Sequence, residues 1–219
     1  MTHSSKKKKP ASLEQAWNRE YSRKNVLWNS LSNEAEVKLT KGEKVLELGC
    51  GNGQTLKMIA PGGAKIWAVD FSRKAGEICY ELKKKYGWKN VEIERMDASE
   101  LRFEDGTFDS VIAFHIIGNI EKEKREIAIA EIARVLKKGG RVFAKVFSVN
   151  DFRCPEGKDK TKVKSNGIRE HYFMQEELDW LFEEAGMKKI EGKRISWKVK
   201  YEGKQRNREK LFAVYLKPD

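Results

Sequence analysis

Apolar positions along this chain follow two rhythms. Short apolar runs bounded by glycine, asparagine or aspartate fall at 44–49, 65–70, 91–95, 108–114, 140–148, 188–197 and 209–216. Between most of them lie longer stretches whose apolar residues recur every three or four positions. The first rhythm predicts strands. The second predicts helices at 53–60, 72–87, 121–137 and 174–186, with further helical pieces over 12–37. Strand and helix alternate as far as residue 148, which predicts a mainly parallel sheet covered by helices on both faces. The last two runs have no helix between them and are expected to pair as a hairpin turning at Glu202-Gly203. The expected fold is therefore α/β: a seven-stranded, mostly parallel sheet with an antiparallel C-terminal edge hairpin. Residues 149–170 are polar, are broken by Pro155, Gly157 and Gly167, and read as a loop over the carboxyl ends of the strands.

The first strand carries the most specific chemistry. Residues 45–53 read Val-Leu-Glu-Leu-Gly-Cys-Gly-Asn-Gly, an apolar strand with Glu47 near its end and glycines at 49, 51 and 53. Glycines let a chain turn sharply and bring backbone amides close to a ligand, and ligands of α/β sheets bind at the carboxyl ends of strands. The pattern points to an adenosine-type cofactor. A dinucleotide fingerprint would need its third glycine at 54, where Gln54 stands, and a P-loop would need a Gly-Lys-Ser/Thr that does not follow. The second strand, Lys65–Asp70, ends in an acid suited to accept both hydroxyls of a ribose, with Phe71 beside the adenine.

Glu47-x-Gly49-x-Gly51-x-Gly53 resembles motif I of the class I S-adenosylmethionine (SAM) methyltransferases. Met96-Asp97-Ala98 then resembles the family's adenine-contacting acidic turn, and Leu101 to His115 its "LPFxDGxFDxV" stretch through strand four. Ala133 to Val142 resembles the "RVLKPGG" junction into strand five, with Lys138 in place of proline and Gly139 expected to close the preceding helix. The resemblance implies a Rossmann-like class I methyltransferase fold, SAM as cofactor and S-adenosylhomocysteine as product. It places Glu47, Gly49, Cys50, Gly51, Asn52, Gly53, Asp70, Phe71, Asp97, Ala98, Phe114 and Tyr21 around the cofactor.

Composition narrows the class. A chain of 219 residues suits one compact domain. Residues 1–10 read as a basic disordered tail and 11–219 as one domain, in which 11–40 would form a helical lid. No apolar run approaches the roughly 18–20 residues that span a bilayer, and the Lys6–Lys9 run leads into Pro10 instead of an apolar stretch. A cytoplasmic enzyme is expected, without membrane or metal. Cys50, Cys79 and Cys154 have no zinc-like or disulfide spacing. Oligomeric state stays open.

Charge bears on the acceptor. The formal net charge is +12, which suits a polyanionic partner. Between Lys188 and Lys210 ten basic residues face three glutamates, and Arg153, Lys158, Lys160, Lys162, Lys164 and Arg169 dot the loop before it. Gly167 to Gly186, with Arg169, His171 and Tyr172, resembles the carboxyl third of the tRNA 3-methylcytidine methyltransferases. That resemblance implies a tRNA or other RNA partner. Methyl transfer is an in-line displacement that rests on positioning, so no fixed triad is expected. His115 and Asn119, just past strand four, are the expected catalytic pair, with Trp17, Arg153, Arg169, His171 and Tyr172 as the substrate wall. Trp17, Tyr21 and Trp28 are spaced to share one helix side. A small-molecule or protein acceptor is the alternative, since a charge-rich surface is also a solvated one.

Overall fold

A computed structural model describes residues 12–23 and 37–219. The basic tail, Trp28 and the helical pieces expected over 24–36 lie outside these residues.

Five parallel strands form the sheet core: β1 (Lys44–Leu48), β2 (Lys65–Asp70), β3 (Val91–Arg95), β4 (Phe108–Phe114) and β5 (Leu136–Phe147). Two long antiparallel strands, β8 (Lys188–Tyr201) and β9 (Lys204–Leu216), complete seven in the order β3-β2-β1-β4-β5-β9-β8. A separate small pair, β6 (Thr161–Val163) and β7 (Arg169–His171), stands inside the segment read as loop. The order reverses between β1 and β4. That switch point opens a crevice at the carboxyl ends of the strands.

Alternation along each strand divides the core between two faces. Leu46, Leu48, Val111, Val142, Ala144, Leu211 and Tyr215 pack against α4 (Lys122–Val135) and α5 (Gln175–Glu184). Val45, Ile66, Ile112, Phe143, Phe212 and Val214 share the opposite cluster with α2 (Gln54–Ile59) and α3 (Arg73–Tyr86). α1 (Leu13–Ser22) opens with a reciprocal capping box between Ser12 and Gln15. It docks on α3 through Asn18, whose Oδ1 accepts from Ser72 Oγ at 2.7 Å and Lys74 N at 3.1 Å.

Two boundaries differ from the sequence reading. Helix α4 ends at Val135, not 137, because Leu136 turns extended, pairs with Phe108 and is fully buried. Gly139 therefore caps no helix; it sits at φ +73° within the irregular start of β5. The hairpin strands also run further than 188–197 and 209–216, pairing as far as Tyr201 with Lys204. Their far halves pass the end of β5, where Phe147 pairs with Lys210, and project as a two-stranded arm. At about 3.4 Å per residue, the arm reaches on the order of 20 Å beyond the sheet.

Candidate active site

A cavity of about 830 Å3 lies over the carboxyl ends of β1, β2, β4 and β5. One end is built by the glycine loop. Gly49 and Cys50 donate their N–H groups to Val69 O at 2.8 and 3.0 Å, binding the loop to β2. Gly51 has φ +51°, and a Cβ there would stand 3.0 Å from the Tyr21 hydroxyl; one at Gly49 would stand 2.8 Å from Ile116 Cδ1. Only glycine keeps this cradle open beneath α1. Gly51 N donates to Asp70 Oδ2 at 3.0 Å and Ser72 N to Oδ1 at 2.8 Å, fixing the carboxylate at the cavity wall. Burial raises the Asp70 pKa to about 6 against the opposing pull of these N–H groups.

Cys50, Asn52, Phe71, Asp97, Ala98, Phe114, Trp17 and Tyr21 also line the cavity. Trp17 and Tyr21 stack at 5.4 Å, closing it from the side of α1. Burial, then the Asp70 charge, pushes the Tyr21 hydroxyl well above its usual pKa. The Cys50 thiol is held far above its usual pKa by its hydrogen bond with Cys79 and by burial, so it stays protonated. Asp97 faces burial that raises its pKa, but Ser99 N and Oγ at 2.9 and 2.7 Å and Lys124 outweigh it and hold the carboxyl low. Glu47 and Gly53 do not reach the cavity wall. Glu47 is buried beneath the loop on β1, and Gly53 begins α2.

The other end is built around His115. This residue holds φ +60°, a conformation rare outside glycine. The strain is over-determined by three contacts. His115 N donates to Lys145 O at 2.7 Å, Asn119 Nδ2 donates to His115 O at 2.7 Å, and the ring stacks on Phe147 at 4.5 Å. Arg125 of α4 ties down the same turn through Ile117 O and Ile120 O. Burial, followed by the charges of Lys145, Lys210, Arg153 and Arg208, depresses the His115 pKa well below its usual value. The ring is neutral at physiological pH.

Of the expected substrate wall, Trp17 and Arg153 line the cavity; Arg169, His171 and Tyr172 do not. Arg169 points to Glu121 at 4.0 Å on the surface. His171 is pinned between Thr161 Oγ1 and Glu177 at 2.9 and 2.8 Å. Tyr172 is fully buried and donates to Glu170, packing behind Phe147. Sequence reasoning missed Lys145, Phe147 and Trp197, and placed Arg208 and Lys210 only within the basic 188–210 stretch; all five line this end. One signal was available, a lysine at 145 inside the otherwise apolar run Val142–Phe147. Among the described residues, no three His, Cys, Asp or Glu side chains gather as a metal site, and no helix is long and apolar enough to cross a membrane.

A SAM-sized ligand fits this site on two counts. The glycine cradle is space that any Cβ would fill, and the buried Asn52 Nδ2 at the wall has no hydrogen-bond partner among the described residues.

Residues 45–140 match the family model described as a methyltransferase domain. The chain is similar to a phosphatidylethanolamine N-methyltransferase of Cereibacter sphaeroides, 36% identical over 118 residues, covering 53% of this chain and 55% of that protein. It is also similar to a tRNA N(3)-cytidine methyltransferase of Gallus gallus, 29% identical over 163 residues, covering 68% and 44%. The chain spans about half the length of the curated relatives it matches. Among solved structures, a Burkholderia thailandensis 1,6-didemethyltoxoflavin-N1-methyltransferase with bound S-adenosylhomocysteine aligns with TM-score 0.64 at 19% identity, over 82% of this chain and 72% of that one. With the strand order, the glycine cradle and Asp70 in place, residues 45–140 form a methyltransferase domain within a Rossmann-like class I methyltransferase fold.

Proposed function

We propose that this chain transfers a methyl group from SAM to a base of tRNA. The observation that supports an RNA acceptor best is the β8–β9 arm. Its projecting half exposes Lys198, Lys200, Lys204 and Arg206, while Trp197, Val199 and Arg208 from the same strands line the cavity. A basic surface that runs directly into an aromatic-lined pocket suits a polyanion delivering an unstacked base. The similarity to a tRNA methyltransferase supports the same reading, and a cytoplasmic setting would go with it.

SAM supplies an electrophilic methyl group on a sulfonium centre. Gly49, Gly51 and Asn52 would meet its amino-acid portion, Asp70 would accept the ribose hydroxyls, and Phe71, Asp97 and Ala98 would flank the adenine. Trp17 and Tyr21 on α1 would close over it and exclude water. Neutral His115, its backbone braced by Asn119, can accept or donate a hydrogen bond at the acceptor without adding charge. Because the displacement needs alignment above all, the chain's contribution is to hold donor and acceptor in line.

The test is turnover of methyl-labelled SAM with unmodified total tRNA, run beside an RNA-free extract of small molecules. Label in a nuclease-released nucleoside is expected. Label confined to small molecules would overturn the RNA reading.

A further inference from the structure

The β6–β7 hairpin joins two parts of the site that are far apart in sequence. At its base, β7 passes so close to the acceptor turn that a Cβ on Gly118 would stand 2.8 Å from His171 O, and the His171 ring is itself pinned between Thr161 and Glu177. At its tip, Lys164 N donates to Ile168 O at 2.8 Å and Gly167 N to Lys164 O at 2.9 Å, closing a tight turn that bears on α1. Ile168 is fully buried. It forms, with Ala16 and Trp17, an apolar cluster separate from those on the two sheet faces, and Leu13, Tyr21 and Phe71 pack against it. The Glu20 carboxylate, on the buried side of α1, accepts from Asn166 Nδ2 at 3.3 Å and meets Lys164 Nζ at 3.6 Å.

A helix of 10 residues is not stable by itself and owes its place to what it packs on. The pair of Glu14 with Arg95, at 2.7 Å, is solvent-exposed and adds little. Asn18 holds the helix to α3 at one point along its length. Burial of Ala16 and Trp17 with Ile168, and of Glu20 beneath the hairpin turn, is the larger contribution. Leu13, Trp17 and Tyr21, four residues apart on one side of α1, line the cavity. The hairpin tip therefore sets where these side chains stand. We propose that the β6–β7 hairpin is a strap that holds α1 shut over the cofactor, with Ile168 and Glu20 as positioning residues acting through Trp17 and Tyr21, and that cofactor exchange proceeds by release of this contact. The inference rests on the cofactor placement proposed above and is independent of the acceptor's identity.

The test uses the full chain and radiolabelled S-adenosylhomocysteine, whose release is timed during a chase with unlabelled ligand. Hydrogen exchange of the α1 amides is read in the same samples beside that of β1 and β2. Ile168→Ala should speed release about tenfold, and Ile168→Val, one methyl group smaller, only roughly two- to threefold. Glu20→Ala, which approaches the same contact from the helix side, should speed it roughly fivefold. In both alanine variants α1 should exchange faster while β1 and β2 stay protected, a local loosening that a general loss of stability would not give. Release within twofold of wild type in Ile168→Ala with β1 and β2 protected, or α1 protection equal to wild type, would overturn the strap. Should Ile168→Ala lose protection throughout, Glu20→Ala decides by the same two readings. A wild type that binds neither SAM nor S-adenosylhomocysteine would fell the cofactor reading, whereas faster α1 exchange in the ligand-free variants would leave the hairpin's hold on α1 standing.

Discussion

Replacing Asp70 by asparagine separates what this carboxylate costs the fold from what it contributes to binding. Its pKa is about 6 in the fold against 3.8 in the ordinary state, because burial outweighs the N–H groups of Ser72, Gly51 and Phe71. A folded pKa above the unfolded one favours folding below the unfolded value, and that contribution is lost as pH rises through the folded value. At pH 7 the buried charge therefore costs roughly 3 kcal/mol, and at pH 5 roughly 1.6 kcal/mol. Asparagine removes this cost but turns an NH2 group toward either Gly51 N–H or Ser72 N–H, leaving a donor unsatisfied for about 1–3 kcal/mol. Asp70→Asn should thus leave stability at pH 7 nearly unchanged and become less favourable, relative to wild type, by roughly 1 kcal/mol at pH 5. Cofactor binding should respond quite differently. Losing a charged acceptor for two ribose hydroxyls should weaken SAM by about 2–4 kcal/mol, or roughly 30- to 1000-fold. Wild-type affinity should itself fall as pH drops from 7 to 5, since the carboxyl protonates near 6, while the variant should show no such slope. Calorimetric SAM titrations at pH 5, 6, 7 and 8, beside denaturant melts, provide the readout. A wild-type affinity that is flat over this range, or a variant that binds SAM normally, would refute the role of Asp70.

Three further outcomes are expected. Gly51→Ala imposes a Cβ at φ +51° and 3.0 Å from the Tyr21 hydroxyl; it should cost roughly 1 kcal/mol of stability and reduce SAM affinity at least tenfold, checked by melts and calorimetry. Arg134 donates to Leu101 O, Phe103 O, Asp105 and Glu131, so Arg134→Ala should destabilise by about 2–3 kcal/mol, seen as a lower urea midpoint. His115→Phe keeps a ring against Phe147 but removes both nitrogens. It should lower kcat with little change in SAM affinity, and the wild-type pH–rate profile should show no step near 6.5, because the imidazole is already neutral there.

The cofactor half was legible in sequence because its signals are local. A strand, a turn and an acid at fixed spacing need no knowledge of distant partners, so β1, the glycine loop and Asp70 follow from residues 45–70 alone. Arg134 shows why the motifs travel together, since the "RVL" arginine clasps the "LRFED" stretch across some thirty positions. The acceptor half is assembled from β5, the 153 region and the two edge strands, so its members share no sequence window. Arg208 and Lys210 read only as two members of a basic run suited to a polyanion, and strand alternation turns them to the face of Phe212 and Val214. Arg169 and His171 lie on β7, whose pairing with β6 holds them away from the acceptor wall, and Tyr172 is buried behind Phe147. Thr161–Val163 is too polar and short to show a strand's alternation in the sequence.

The position of β9 has a kinetic consequence. It lies between β5 and β8 and joins Arg141 to Leu216 across most of the carboxyl third. During synthesis β1–β5 emerge first, and β5 keeps an apolar edge open until the strand bearing Arg208 and Lys210 has followed. Contacts so distant in sequence form late, and an open edge invites pairing with other chains. Premature termination in residues 204–216 is therefore expected to leave an aggregation-prone chain rather than a slower enzyme.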